Sequence, residues 1–93
     1  MERAVAKIEA KIEIYTTPIC GYCSRAKALL DKKGVVYKDI NVMTNPAKRQ
    51  EMVKRTGRTS VPQIFIDGKD IGGCDDLFEL DFDGDLNALL GVA

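Results

Sequence analysis

Thr16-Thr17-Pro18-Ile19-Cys20-Gly21-Tyr22-Cys23-Ser24-Arg25-Ala26-Lys27 sets two cysteines on either side of a Gly-Tyr pair. An alternating apolar run, Ile12 and Ile14, precedes the stretch, and a helical pattern, Cys23, Ala26, Leu29 and Leu30, runs out of it. The hydrophobic period changes from about 2 to about 3.6, which puts the pair on a strand-to-helix corner. At a helix start, unpaired N–H groups and the positive end of the macrodipole favour an anion. Cys20 is therefore expected to ionise more readily than an ordinary thiol. Cys23 lies one turn further on the same face, with β-carbons about 5–6 Å apart where a disulfide needs about 3.8 Å. Slight tightening of the first turn, eased by Gly21, closes that ring. Cys20 is then the exposed attacking sulfur and Cys23 the more buried resolving one.

Other uses of the pair fit less well. A zinc site needs four ligands, whereas the chain has three cysteines and no histidine, and Cys74 has no nearby partner in sequence. A purely structural disulfide across so short a loop constrains the unfolded chain little. Redox chemistry is the favoured use, and a CxxC beside a βαβ pattern is its usual setting.

Ninety-three residues make one domain with a single core. Apolar residues at 45% and charged residues at 30% are ordinary for a globular chain, so disorder is not expected. A formal net charge of zero argues against nucleic acid as a partner, although charge is distributed unevenly. Between residues 44 and 58, Lys48, Arg49, Lys54, Arg55 and Arg58 face only Glu51. Between residues 67 and 85, eight carboxylates face only Lys69. The two stretches read either as solvated faces or as complements to a charged ligand. No window reaches the roughly 18 apolar residues of a membrane span, and the first residues lack the apolar centre of a signal peptide. An odd number of cysteines fits a reducing compartment, so a cytoplasmic protein without a membrane partner is expected.

Residues 1–10 read as an N-terminal extension and residues 11–93 as the domain. Lys11–Tyr15 predicts a strand, and a helix is expected from about Cys23 to Lys33, closed by Gly34. The β-branched run from Val35 to Val42 predicts a second strand, parallel to the first through a right-handed crossover. Asn45-Pro46 opens a second helix that Gly57 stops, with Met52 and Val53 inward. Gln63–Ile66, Asp67-Gly68 and Lys69–Ile71 form a hairpin with a type I′ turn. Asp75 or Asp76 is expected to cap a third helix whose apolar face is Leu77, Phe78 and Leu80. Phe82 stands near its end, and Leu86, Leu89 and Leu90 supply a closing turn. The order implies an α/β fold, a small mixed sheet with helices on both faces.

Three motifs in register, CGYC after a strand, SVP before a hairpin and GGCDDL at a helix start, resemble the glutaredoxins. The resemblance runs from about Lys11 to Leu90 and is strongest to their bacterial dithiol members. Thioredoxin proper fits worse, because Ile19 stands where its Trp precedes the first cysteine and the chain has no Trp. The resemblance implies a thioredoxin-like fold, a four-stranded mixed sheet flanked by helices. It also implies a glutathione-dependent thiol-disulfide oxidoreductase, with catalytic Cys20 and Cys23, acting on glutathionylated or disulfide-bonded proteins.

Glutathione carries a carboxylate at each end and an ammonium near one of them, which gives the uneven charge a use. By similarity its sulfur meets Cys20 with Tyr22 beside it, and its cysteinyl backbone pairs with Val61 before an implied cis Pro62. The glycine carboxylate falls to Arg49 and Thr17, and the γ-glutamyl carboxylate to the N–H groups of Cys74 and Asp75. Asp75 or Asp76 takes the ammonium. Cys74 then contributes mostly backbone; a third redox thiol is the alternative.

Three residues depart from the common pattern: Thr17 for Lys, Ser60 for Thr, and Gly21 for the Pro of CPYC. The last opens a rival reading. Some relatives with Gly there hold a [2Fe–2S] cluster between two subunits, each giving one cysteine and one glutathione. A monomer is expected, with a dimer only if such a cluster is held.

Overall fold

The computed structural model describes residues 10–92, so the expected N-terminal extension lies outside the described residues except for Ala10. The chain runs β1 (Ile12–Thr16), α1 (Gly21–Lys32), β2 (Lys38–Asn41), α2 (Pro46–Thr56), β3 (Gln63–Ile66), β4 (Lys69–Gly72), α3 (Cys74–Phe82) and α4 (Leu86–Leu90). The four strands form one sheet in the order β2-β1-β3-β4. β1 and β2 are parallel, whereas β1–β3 and β3–β4 are antiparallel. This is the expected four-stranded mixed sheet.

Period 2 sorts the side chains of the central strands to opposite faces. Ile12, Ile14, Ile64 and Ile66 face one side, where Ala26, Leu29 and Leu30 of α1, Leu77 of α3, and Leu86 and Leu90 of α4 complete a core. Tyr15 and Phe65 face the other, packed with Ile40, Val42 and Met52 beneath α2. Each such side chain contributes about 1.5–3 kcal/mol on full burial, so the two layers fix the register of the central pair.

A charged clasp closes the α2 layer. The Arg55 guanidinium lies 3.6 Å from the Phe65 ring centroid and donates to the Tyr15 hydroxyl at 2.8 Å. That hydroxyl in turn donates to Glu51 at 2.6 Å. Burial, and then the Glu51 carboxylate, push the Tyr15 hydroxyl above its ordinary pKa, so it stays a donor throughout the physiological range.

The boundaries depart from the sequence in three places. Val35 to Tyr37 lie outside β2, since Val35 and Tyr37 pack against the α1–α4 core as a connection after Gly34. α1 begins at Gly21, which makes Cys20 itself the N-cap. α3 begins at Cys74 on Gly73, and Asp76 reaches back to accept from the Gly73 N–H at 2.9 Å. The inward face of α3 is Leu77 with Leu80 half-buried, while Phe78 is largely outward and Phe82 is 91% exposed. Nine residues allow α3 few inward positions, and Leu77 fills the central one.

The first crossover is tied near the site. Asp39 accepts from the Thr16 hydroxyl and, at 2.9 Å, from Lys27 Nζ on α1. Burial alone would push the Asp39 carboxyl up, but the Thr16 hydroxyl and the Lys27 ammonium hold it below the ordinary value of 3.8. A depressed folded pKa contributes stability above the unfolded value and loses it as pH falls through the folded one. The urea-midpoint gap between wild type and Asp39→Asn is therefore expected to narrow as pH drops below 3.8. A gap constant from pH 7 into acid would show that this carboxylate adds nothing through its charge.

Candidate redox site

Cys20 holds an extended backbone, φ −106° and ψ 116°, as the N-cap of α1. That geometry turns its side chain over the first turn, where Sγ accepts the Cys23 N–H at 3.1 Å. The amide thus fixes the Cys20 sulfur over the first turn of α1. Cys20 is partly exposed, whereas Cys23 is fully buried. Burial first, then the neighbouring Cys20 sulfur, push the Cys23 thiol up to about 12, against the opposing backbone of Thr17 and charge of Lys27. Cys23 is thus held protonated behind an accessible partner, the asymmetry an attacking and a resolving sulfur require.

Cys20 Sγ also lies 3.7 Å from the carbonyl oxygen of Val61, and the Val61-Pro62 bond is cis. Beside it opens a groove of about 380 Å³, bounded by Tyr22, Arg58, Val61, Pro62, Cys74 and Asp75. The structure thus gathers the CGYC corner with Cys20 and Tyr22, the SVP loop and the start of α3, three separate parts of the sequence, around one sulfur. A larger groove of about 580 Å³ runs along α2, lined by Pro46, Arg49, Gln50, Val53 and Lys54, and it holds no nucleophile.

Two expected contacts sit differently. Thr17 is half-buried and meets the site through its backbone, near the Cys23 sulfur. Arg49 lies on the α2 groove, with Nη2 donating to the Thr59 carbonyl at 3.1 Å. The residue that lines the Cys20 groove is Arg58, counted in the sequence only as part of a basic stretch. Its signal was Gly57, whose φ of 72° ends α2 and turns the chain so that the next side chain reaches the groove. Cys74 is buried, and burial pushes its thiol above the ordinary value.

The model of the glutaredoxin family matches residues 12–71 of this chain. The chain belongs to the glutaredoxin family. It is 59% identical over 81 residues to Glutaredoxin 3 of Escherichia coli (strain K12), a match covering 87% of this chain and 98% of that protein. Identity to Glutaredoxin 1 of Rickettsia prowazekii is 52%, covering 85% of each chain. The buckwheat glutaredoxin–glutathione complex superposes with a TM-score of 0.82 at 35% identity, covering 90% of this chain and 83% of that one. This glutaredoxin has a thioredoxin-like fold and is a glutathione-dependent thiol-disulfide oxidoreductase. No helix among its described residues is long and apolar enough to cross a membrane.

Gly21 distinguishes its active-site corner. A Cβ added there meets nothing within 4 Å. Position 21 is the first helical residue, where an N–H has no intrahelical partner and Pro is favoured. Cys20 already has the extended backbone that a following Pro demands. Gly21→Pro is therefore expected to stabilise the fold by about 0.4–1 kcal/mol through the unfolded chain. Urea unfolding checks this, and a destabilised variant would show that the corner needs the freedom of glycine.

Proposed function

We propose that this glutaredoxin reduces protein–glutathione mixed disulfides through Cys20 alone and protein disulfides through Cys20 and Cys23. The observation that carries the reading is an accessible sulfur at a helix N-cap, 3.1 Å from an amide donor, with a fully buried thiol one turn behind it. In the first reaction Cys20 thiolate attacks the glutathione sulfur. The Cys20–glutathione bond forms, the mixed disulfide breaks, and the substrate leaves as a thiolate that takes a proton from water. A second glutathione thiolate attacks the same glutathione sulfur, releasing oxidised glutathione and Cys20 thiolate. In the second reaction Cys20 attacks a protein disulfide, and Cys23, losing its proton, displaces the substrate. Two glutathiones then reduce the resulting Cys20–Cys23 bond, so each two-electron cycle balances.

The groove gives glutathione a direction. The γ-glutamyl carboxylate rests on the N–H groups of Cys74 and Asp75, which at the first turn of α3 have no helical partners. Asp76 is engaged by Gly73, so Asp75 is the carboxylate for the ammonium. The cysteinyl backbone pairs with Val61 beside Tyr22. The glycine carboxylate runs toward the α2 side, where Arg58 lines the groove and Arg49 stands behind Thr59. One chain carries the whole groove, which supports a monomer acting in the cytoplasm, where a reducing poise keeps the cysteines as thiols.

A [2Fe–2S] cluster would draw one sulfur, Cys20, from each of two chains, because Cys23 and Cys74 are buried. The relatives favour the oxidoreductase instead.

A coupled assay with a glutathionylated peptide and glutathione tests the reading. Turnover is expected, and its absence in purified, folded protein would reject it.

A further inference from the structure

In a chain whose residues are 30% charged, residues 14–24 and residues 40–47 carry no charge at all. The first stretch runs from the middle of β1 through the CGYC corner, and the second from β2 into the first turn of α2. The fold lays them side by side. β1 and β2 are parallel neighbours, so both stretches leave the sheet at the same end, tied where the Val42 N–H donates to the Thr16 carbonyl at 2.9 Å. Asn41 then turns the second stretch over that end, its Oδ1 accepting from the Met43 N–H at 2.8 Å and the Thr44 N–H at 3.3 Å. The nearby charges of Lys27 and Asp39 are spent on each other at 2.9 Å.

What these stretches expose is apolar. Ile19 is 81% exposed and Met43 48% exposed, and neither lines the groove beside Cys20. One exposed aliphatic side chain is ordinary, but two from separate loops at the end of the sheet that carries the accessible nucleophile form a patch with a position. Sheet order explains the position. β1, which leads to Cys20, has β3 on one side and β2 on the other. The entry to β3 bounds the groove that holds Arg58 and Asp75. Met43 therefore stands on the opposite side of Cys20, and Ile19 immediately precedes it.

A mixed disulfide brings two bodies to one sulfur. With glutathione in the groove between β3 and α3, the β2 side is left to the protein. We propose that the edge formed by Ile19 and Met43 receives the protein half of the mixed disulfide and selects cysteines flanked by apolar side chains. The inference rests on the proposed reduction of protein–glutathione mixed disulfides and names its substrate class. The reaction itself sets the occupant, since a protein whose sulfur is released at Cys20 lies against this face. A charged flank would lose water there and find no partner, whereas an apolar flank takes its own surface and that of Ile19 and Met43 out of water.

Two glutathionylated peptides of equal length and charge test this, one with Leu on each side of the cysteine and one with Ser. Wild type is expected to turn over the Leu peptide with a kcat/KM roughly three- to tenfold higher, as one or two part-buried aliphatic contacts allow. Ile19→Ser and Met43→Ser are each expected to cut that ratio, and the double variant to abolish most of it. Both side chains lie outside the core, so the variants keep the fold. Equal kcat/KM of wild type on the two peptides would overturn the proposal, as would a preference that survives in the double variant. The mixed disulfide of glutathione with 2-mercaptoethanol, which has no flanking residues, separates this failure from that of the functional reading. Wild type that reduces it yet treats the peptides alike contradicts the docking edge alone. Wild type that reduces none of the three overturns the functional reading and the inference with it.

Discussion

Cys20→Ser is expected to lower turnover on both glutathionylated peptides and protein disulfides by on the order of a thousandfold or more, because it removes the nucleophile. Cys23→Ser is expected to keep reduction of the glutathionylated peptide within roughly threefold of wild type while losing reduction of protein disulfides. The split follows from geometry. Cys20 is the sulfur outside the core, at the groove and under the Cys23 amide, whereas Cys23 is buried with its thiol pushed up to about 12. Cys23 has nothing to attack until a disulfide forms on Cys20. Parallel assays of the two variants decide the matter. Equal losses on both substrates would contradict the division of labour, as would a Cys20→Ser enzyme that kept its activity.

The second large effect is expected at Gly72→Ala. Gly72 is buried at φ +107°, a conformation that L side chains rarely adopt. A Cβ there would lie 2.2 Å from Asp76 Oδ2 and 3.0 Å from Asp76 Cβ. The substitution strains the backbone and displaces the carboxylate that accepts the Gly73 N–H, so both the end of β4 and the start of α3 suffer. Strain of order 1–3 kcal/mol and loss of a cap worth about 1 kcal/mol sum to about 2–4 kcal/mol. Urea unfolding should register that loss. A raised KM for the glutathionylated peptide is expected alongside it, since Cys74 and Asp75 open the same helix. Wild-type stability and KM together would show that Asp76 does not organise the groove.

Much of this was written in the sequence because local rules and tertiary demands agree. The Ile12/Ile14 alternation and the Asp67-Gly68 turn survive unchanged in β1 and in the hairpin, where Asp67 and Gly68 take φ of 53° and 81°. Asn45 caps α2 and Gly57 ends it in the left-handed conformation, as the letters indicate. The CGYC corner was legible because a nucleophile at a helix start is a local arrangement.

What stayed hidden depends on distances across the fold. Arg49 and Arg58 are both cations in a basic stretch, and only the turn at Gly57 decides which one reaches the Cys20 groove. Gln63 is an ordinary strand residue until its amide is seen under Ser60. The cap of α3 lies at Gly73, two or three residues before the expected Asp75 or Asp76, because Asp76 reaches backward onto the Gly73 N–H instead of opening the helix itself. Phe78 belongs to the apolar face expected of α3, yet it is 37% exposed, because Leu77 takes the inward position beside it.

The most direct test of the account is a trapping experiment. Cys23→Ser, incubated with oxidised glutathione and digested without reductant, should carry one glutathione, and mass spectrometry should place it on the peptide containing Cys20. A glutathione on Cys74, or none at all, would contradict the claim that one accessible sulfur at the N-cap of α1 begins the chemistry.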